Sequence, residues 1–557
     1  MFAKPRISGA PVGGSRGSQR VMDTEITRPR RSAPISLREL ADRLGARLDS
    51  PATEPVSPAR DTETADSSPR VAVTGVAGGT DRVLPGDVFV AIPGARTHGA
   101  SFAREAVEAG AVAIITDAAG AEHARDAGVP VLVVEHPRSA LADASGIVHS
   151  TRAIDTVLFA VTGTNGKTTT TYMVRDVIKA LGLRAGLAGT VERIVGNKHI
   201  DTSDSGRLTT PEADVLHGLA ARMHEDHVAA AAIEVSSHGI DGGRIDGLPF
   251  DVSIFTNFSQ DHLDEYGTME RYFAAKMALF TPEHTRRAVI VIDDEWGKRA
   301  AREAQVPVTT VAMDAEAGAD WTVEVNDTTL AHTEFRMRHR SGDVVDTTVG
   351  MPGWFTALDA ALAIAAVLDS RLGITADDLR AALGERGGVH PSVPGRIELA
   401  SGDAPVRVYV DYGHTEASFR TVLQSLREFT DGRLFMVFGA DGDRDRTKRP
   451  AMARAASEVT DVVVVTDYNP RTEDPTEIRR TLVDTIRREF PEREVYEVAA
   501  PAEGIRKAIS LARAGDIVFV GGHGHRRDVE VGGKLVPFSA MDAVRDALRA
   551  EGWLTSA

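Results

Sequence analysis

The sequence predicts an α/β protein built on parallel sheets and divided into about three or four domains. Three observations carry that expectation. Short apolar runs alternate with amphipathic helical stretches along most of the chain, the rhythm of strands paired through helical crossovers. One of these runs, TVLFAVTG, ends in a loop of glycines and a lysine that opens a helix. The length, 557 residues, exceeds what one hydrophobic core organises.

In chain order, residues 1–34 are rich in Gly, Ser, Pro and Arg without apolar periodicity. They read as a disordered extension, with Met22 as an alternative start, because a targeting peptide needs an apolar core of roughly 7–15 residues. Asp49 to Ser68 reads as a loop. A first domain, 35–155, follows, with strand candidates VAVTGV, GDVFVAI, AVAIITD and VPVLVV and a helix at SFAREAVEAG. A second, 156–392, carries TVLFAVTG, AAAAIEVSS, DVSIFTN and RAVIVID. A third, 393–557, begins after VHPSVPGR and carries VRVYVDYG, RLFMVFGA, DVVVVTD and DIVFVGG, with a helix over Thr476–Phe490.

Composition narrows the function classes. There are no cysteines, which removes disulfides, thiolate metal sites and cysteine nucleophiles. No run of roughly 18 uncharged apolar residues is present to span a membrane. A net charge of −16 argues against nucleic acid as a partner, while a local basic pocket remains compatible with an anionic small molecule. The expectation is a cytoplasmic enzyme.

The strongest local signal is TGTNGKTTT, Thr162 to Thr170. It follows an apolar strand and opens a helix with the apolar face Met173, Val174, Val177, Ile178 and Leu181. Gly163 and Gly166 let backbone N–H groups wrap an anion, Lys167 reaches phosphates, and Thr168 or Thr169 offers a hydroxyl to Mg²⁺. The strict GxxxxGK spacing is not met, since Val161 stands five before Gly166. A plain glycine turn with a surface lysine is the weaker alternative in this strand–loop–helix setting. Glu234, ending the strand in IEVSSHG, is a hard oxygen ligand suited to Mg²⁺. Asp261, His262 and Asp264 cluster after the strand in FTNFSQDHLDEYGT. Each cluster alone reads as a solvated loop; together they follow the carboxyl ends of parallel strands, where ligands bind in open α/β sheets. Lys276 shares an apolar helix face with Phe273, Met277 and Phe280. Spacing favours a snorkelling lysine over one of depressed pKa that reacts or is modified.

Taken in order, GTNGKTT, EVSSH, TNFSQDHLDEYGTMERY, AKMALF, VPGRIE, DYGHT, FGADGDRDRTKRP and YNPRTEDP resemble the ATP-dependent Mur ligases of peptidoglycan synthesis, over roughly residues 70–545. Within that family they resemble the branch that adds the third stem-peptide residue. TDRVLPGDVFVAIPG is similar to its uridine-nucleotide domain. The resemblance implies an N-terminal uridine-nucleotide-binding α/β domain, a central P-loop ATPase-like parallel-sheet domain and a C-terminal Rossmann-like domain. It implies ATP at Gly163, Thr164, Asn165, Gly166, Lys167, Thr168, Thr169, Arg396 and Asp411. It implies Mg²⁺ at Thr168, Glu234 and His262, and at Lys276 as a carbamate. The catalytic set would be Lys167, Glu234, His262 and Lys276. The UDP-N-acetylmuramoyl dipeptide would be gripped by Thr209, Thr210, Ser236 and Arg244, and the free amino acid by Arg444, Asn469, Arg471, Gly522 and Arg526. A monomer acting without nucleic acid or membrane is expected. The implied reaction passes through an acyl phosphate that an amine then attacks, which requires no protein nucleophile.

Departures from the family pattern gather in the amino-acid pocket. Tyr468 replaces the acid of a DNPR box, Arg526 replaces the acid of GKGHE, and Asp441 interrupts a glycine pair. Gly242, Asp81 and the pair Ala500-Pro501 also depart. His523 and His525 read as loop residues near the substrate rather than a metal pair. Which amino acid is added (diaminopimelate, lysine or another diamino acid) stays open. A folylpolyglutamate-synthetase-like ligase and a catalytically degraded binding paralogue are the competing readings.

Overall fold

A computed structural model describes residues 27–49, 71–200 and 208–554. Most of the expected N-terminal extension, with Met22, and of the expected loop from Asp49 to Ser68 lie outside the described residues. The chain forms two compact units, one of Met1–Leu158, Arg184–Ala231 and His238–Phe250, the other of Phe159–Leu183, Ala232–Ser237 and Asp251–Ala557. The stretch 156–392, expected as a single domain, contributes to both. Among the described residues no helix is long and apolar enough to cross a membrane.

In the first unit a five-stranded sheet runs in the order Arg47–Asp49, Val131–Val133, Ala113–Thr116, Asp87–Val90, Gly75–Ala77. All its pairs are parallel except the first. Val88, Val90, Ile115 and Leu132 bury one face against the helix Pro137–Val148, and Phe89 and Ile114 bury the other. This is the two-sided burial that near-continuous apolar strands require. VAVTGV, expected as one strand, divides into Ala72–Val73 and Gly75–Ala77. The antiparallel strands Ala185–Ala188, Arg193–Val195 and Lys198–Ile200 also belong to this unit.

Residues 27–34 correct the expectation of a disordered extension. Arg28 is 8% exposed and donates twice from Nη1 to the Asp87 carboxylate, at 2.7 and 2.8 Å. Its Nη2 donates to the Val76 and Arg82 carbonyls. Burial pushes the Asp87 carboxyl up and Arg28 only partly offsets this, so each charge depends on the other. Replacing one partner of a buried pair strands the second. Arg28→Ala should lower unfolding stability by about 3–5 kcal/mol, read as a lower urea midpoint, while Arg28→Met with Asp87→Asn recovers most of it. Equal midpoints for the single and double variants would show that the pair is not what holds the segment.

The second unit takes in most of the strands Ala230–Glu234, Val157–Thr162 and Phe250–Phe255, whose opening residues fall in the first, and then, in sheet order, Thr285–Val291, Val308–Ala312, Trp321–Thr328, Thr333–His339 and Val344–Val349. The last three pair antiparallel, and the sequence reading passes over them. The helix Trp354–Asp369 is buried along Ala357–Val367 and packs on the helix Lys167–Ala180. A further sheet follows the order Glu398–Leu399, Arg407–Val410, Ile517–Val520, Leu434–Phe438, Val462–Val465, Glu494–Glu497. It is parallel apart from its first pair. Its helices include Pro475–Glu489, one residue from the expected bounds. The polar segments Asp411–Thr415, Asp441–Thr447, Tyr468–Asp474 and Gly522–Arg526 all follow the carboxyl ends of its strands, where a ligand crevice forms.

Candidate active site

The glycine loop joins the strand Val157–Thr162 to the helix Lys167–Ala180. Its path requires glycine. Gly163 has φ +145°, and a Cβ there would lie 2.0 Å from Thr256 Oγ1. Gly166 is left-handed at φ +82°, and its Cβ would lie 2.9 Å from Asp359 Oδ1. The segment after Phe250–Phe255 clamps the loop. The Thr164 N–H donates to the Asn257 carbonyl and the Asn165 N–H to Asn257 Oδ1, while Thr256 Oγ1 donates to the Asn165 carbonyl at 2.6 Å. Asn165 Oδ1 also accepts from Thr415 Oγ1 at 3.4 Å.

Lys167 folds back, donating from Nζ to the Gly163 and Thr164 carbonyls at 2.9 and 2.8 Å. Burial lowers its pKa, partly offset by the charges of Glu234 and Asp261. The Thr168 hydroxyl donates to Glu234 Oε2 at 3.1 Å and accepts from Arg396 Nη2 at 3.0 Å. Thr168, Thr169 and Glu234 are buried. Asp411 accepts from the Ile397 and Gly413 N–H groups, and so fixes the turn that presents Arg396. The phosphate loop, the strand-end carboxylate and the two later motifs are thus in hydrogen-bond contact.

Lys276 does not snorkel. It is 1% exposed, donates to the Gly163 carbonyl at 2.9 Å and lies 4.6 Å from the Tyr272 ring centre. His262 takes φ +54°, and its Nε2 lies 3.5 Å from Asp261. Burial pushes the Asp261 carboxyl up, but His262, Lys448 and His414 together hold it below the usual carboxylate range.

Asp359, on the helix Trp354–Asp369, is a site residue that no motif flagged. Burial pushes its carboxyl up to about 7, and Thr170 offsets this only in part. Since the unfolded chain loses that proton near pH 4, folding binds a proton between about pH 4 and 7, and stability falls as pH rises through that window. Asp359→Asn should therefore raise the unfolding free energy at pH 8 by on the order of 1–4 kcal/mol, seen as a higher melting temperature, with no gain near pH 4. Melting curves at the two pH values check this; a gain of equal size at both would exclude the titration as its cause.

The first unit holds Thr209, Thr210 and Arg244. Thr209 accepts from the Thr190 hydroxyl, and Arg244 donates to the Thr210 carbonyl at 3.3 Å. Ser236 lies in the second unit, after Glu234. Beyond these the first unit has a cavity of about 420 Å³ lined by Arg82, Arg138 and Arg193 with Asp81 and Glu212. Burial lowers Arg193 to about 10. Asp214 accepts from Arg82 and from the Gly78 N–H. These three arginines come from distant stretches of sequence and were absent from the expected set, although a local basic pocket was foreseen.

Around the last sheet, Asn469 and Arg471 sit near Asp441, whose carboxylate lies 3.6 Å from the Arg471 guanidinium. Arg526 donates to Tyr412 Oη at 3.0 Å. Gly522 has φ +100° and lies against the Tyr468 ring. Arg444 is instead engaged with Glu265 at 2.9 Å and Asp264 at 3.4 Å. Burial holds His523 neutral, with a pKa near 3.

Known proteins match this arrangement. Residues 72–146 match the description "Mur ligase family, catalytic domain", 161–367 "Mur ligase middle domain" and 395–524 "Mur ligase, glutamate ligase domain". The UDP-N-acetylmuramyl-tripeptide synthetase of Leifsonia xyli subsp. xyli is 47% identical over 484 residues, covering 87% of this chain and 93% of that protein. The UDP-N-acetylmuramoyl-L-alanyl-D-glutamate–2,6-diaminopimelate ligase of Streptomyces coelicolor is 36% identical over 528 residues, covering 94% and 98%. A solved structure of a ligase of that second name superposes with a TM-score of 0.59 at 27% identity, covering 93% of this chain and all of that one. With that identity and coverage, the chain belongs to the Mur ligase family.

Proposed function

We propose that the protein is an ATP-dependent amide ligase that adds the third amino acid, diaminopimelate, lysine or another diamino acid, to UDP-N-acetylmuramoyl-L-alanyl-D-glutamate. The observation that carries the reading is Thr168, held between Glu234 and Arg396 beside a phosphate loop whose lysine is half-buried. Such a loop suits the phosphates of ATP. A substrate carboxylate attacks the γ-phosphate and ADP leaves. The amine of the incoming amino acid then attacks the acyl phosphate, and phosphate leaves. Lys167 neutralises charge on the transferring group, and Arg396 binds the nucleotide alongside Thr168.

A buried carboxylate next to a hydroxyl is a hard-oxygen pair that fits Mg²⁺, so Thr168 and Glu234 would hold one ion, and His262 with a carbamylated Lys276 would serve a second. When bound, Mg²⁺ supplies neutralisation of phosphate charge. Thr209, Thr210, Ser236 and Arg244, with the arginine-lined cavity, would bind the UDP-linked dipeptide. Arg444, Asn469, Arg471, Gly522 and Arg526 would receive the amino acid. Under this reading the protein works as a cytoplasmic monomer, with breaks near residues 155 and 392 separating its three family domains.

The test is phosphate release with ATP, Mg²⁺ and UDP-N-acetylmuramoyl-L-Ala-D-Glu across a panel of single amino acids. Release with one of them, and a product heavier by that residue, is the expected result. Silence across the panel from folded protein would overturn the reading.

A further inference from the structure

Beyond the strand Ile517–Val520, one half-buried cation has no ion-paired carboxylate among the described residues. Arg526 donates from Nη2 to Tyr412 Oη at 3.0 Å, and its Cζ lies 5.4 Å from the centre of that ring. No carboxylate among the described residues forms an ion pair with it. The same Tyr412 ring carries Arg396 at 4.4 Å, and Arg396 reaches Thr168. Tyr412 therefore ties Arg526 to the phosphate loop and fixes it with respect to the reacting end of the site.

Its surroundings are rich in spare donors. Asn469 is 1% exposed; its Oδ1 accepts from the Glu530 N–H, while its Nδ2 has no partner among the described residues. Arg471 is held at φ +53°, its N–H on the Glu530 carbonyl and its own carbonyl on the Gly532 N–H. Its Nε is buried and unpartnered among the described residues. Tyr468, 3% exposed, lies within electrostatic reach of Arg526, Arg471 and Asp441 together. The cluster thus holds two guanidinium groups; the carboxylates of Asp441 and Asp443 both lie within electrostatic reach of Arg471, and neither forms an ion pair with Arg526. A half-buried cation without an ion pair and a buried amide donor without an acceptor are costly until a ligand supplies oxygen. Two guanidinium groups can each take an oxygen-bearing end of one molecule.

We infer that Arg526 determines specificity for the incoming amino acid, accepting a side chain that ends in an oxygen acceptor and refusing one whose only distal polar group is an ammonium. This rests on the amide-ligase reading above and narrows it. The α-carboxylate takes one guanidinium and the side-chain oxygen takes the other. Diaminopimelate, with a carboxylate at both ends, qualifies; lysine and ornithine, which would set an ammonium beside an unneutralised guanidinium, do not.

The experiment measures kcat/KM for phosphate release with ATP, Mg²⁺ and the UDP-linked dipeptide. It compares L-lysine and L-ornithine with meso-diaminopimelate, L-glutamate and L-homoserine. At least one oxygen-ended amino acid should exceed both lysine and ornithine by about tenfold or more. Arg526→Glu should shift that ratio toward lysine by about tenfold or more, because it replaces repulsion by attraction. Arg526→Gln should flatten the ratio, and it decides the matter if the Glu variant does not fold. Lysine or ornithine as the best substrate of the unaltered protein would overturn the inference while leaving the ligase reading intact. So would a ratio unmoved in both variants. Silence with every amino acid would overturn the ligase reading and this inference with it.

Discussion

Lys167→Ala should reduce phosphate release by on the order of a thousandfold or more, with most of the loss in kcat and a smaller part in ATP affinity. The side chain is held by the Gly163 and Thr164 carbonyls, which position an ammonium but do not neutralise it. Burial lowers its pKa, so the charged form is disfavoured until an anion arrives. Negative charge on the transferring phosphoryl group rises toward the transition state, and the ammonium stabilises that state more than it stabilises bound ATP. Lys167→Arg should not restore the rate, because two carbonyls of a tight glycine loop seat a compact ammonium and not a planar fork. The lowered pKa adds a direction. ATP affinity of the free enzyme should weaken with rising pH below about 10.4, where an ordinary lysine loses its proton. Steady-state phosphate release and calorimetric ATP titrations check both points. A fall of only a few-fold in kcat would place Lys167 outside the reaction.

The legibility of this site in the sequence follows the range of the interactions. The phosphate loop is local: a strand, two glycines, a lysine and a helix lie within a dozen positions, and their order alone dictates the turn. The strand-end residues Glu234, Asp411 and Asn469 were legible for a similar reason, since a parallel sheet sends its carboxyl ends to one edge. Arg28 was not legible. Its partner Asp87 is 59 positions away, and nothing in a segment rich in Arg, Pro and Ser marks which arginine is buried. The cavity arginines 82, 138 and 193 likewise converge only in three dimensions. The antiparallel strands from Trp321 to Val349 did leave a signal, the alternate burial of Val323, Phe335, Met337, Val345 and Val349. A search for continuous apolar runs passes over it. Asp359 was hidden by its setting, an Ala-rich buried helix, where a lone carboxylate looks like an N-terminal polar residue until Gly166 is found against it.

Lys276 is the residue on which spacing and packing disagree most, and its replacement carries the second large effect. An apolar helix face around a lysine usually means that the stem is buried and the ammonium escapes to water. Here the ammonium itself is buried, held by a backbone carbonyl 113 positions away and by the Tyr272 ring. A buried amine reacts with CO₂ when neutral: the nitrogen forms a bond to carbon, one proton is released, and the group becomes a carbamate. Counting the proton the ammonium loses first, two protons leave and an anion replaces a cation beside Gly163, giving an oxygen ligand suited to Mg²⁺. If this is the working state, Lys276→Met, which keeps an apolar side chain against the Tyr272 ring, should leave the melting temperature close to that of the unaltered protein. It should still lower phosphate release by on the order of a hundredfold to ten-thousandfold. Lys276→Ala should lose as much and regain part of it with added formate or acetate, which can supply a carboxylate to the vacated space. A purely structural lysine gives the opposite pattern, a lowered melting temperature in both variants and no response to small carboxylates. Carbon-13 NMR of protein equilibrated with labelled CO₂ reads the carbamate directly, and its signal should vanish in both variants. Full turnover by Lys276→Met would exclude the carbamate from the reaction.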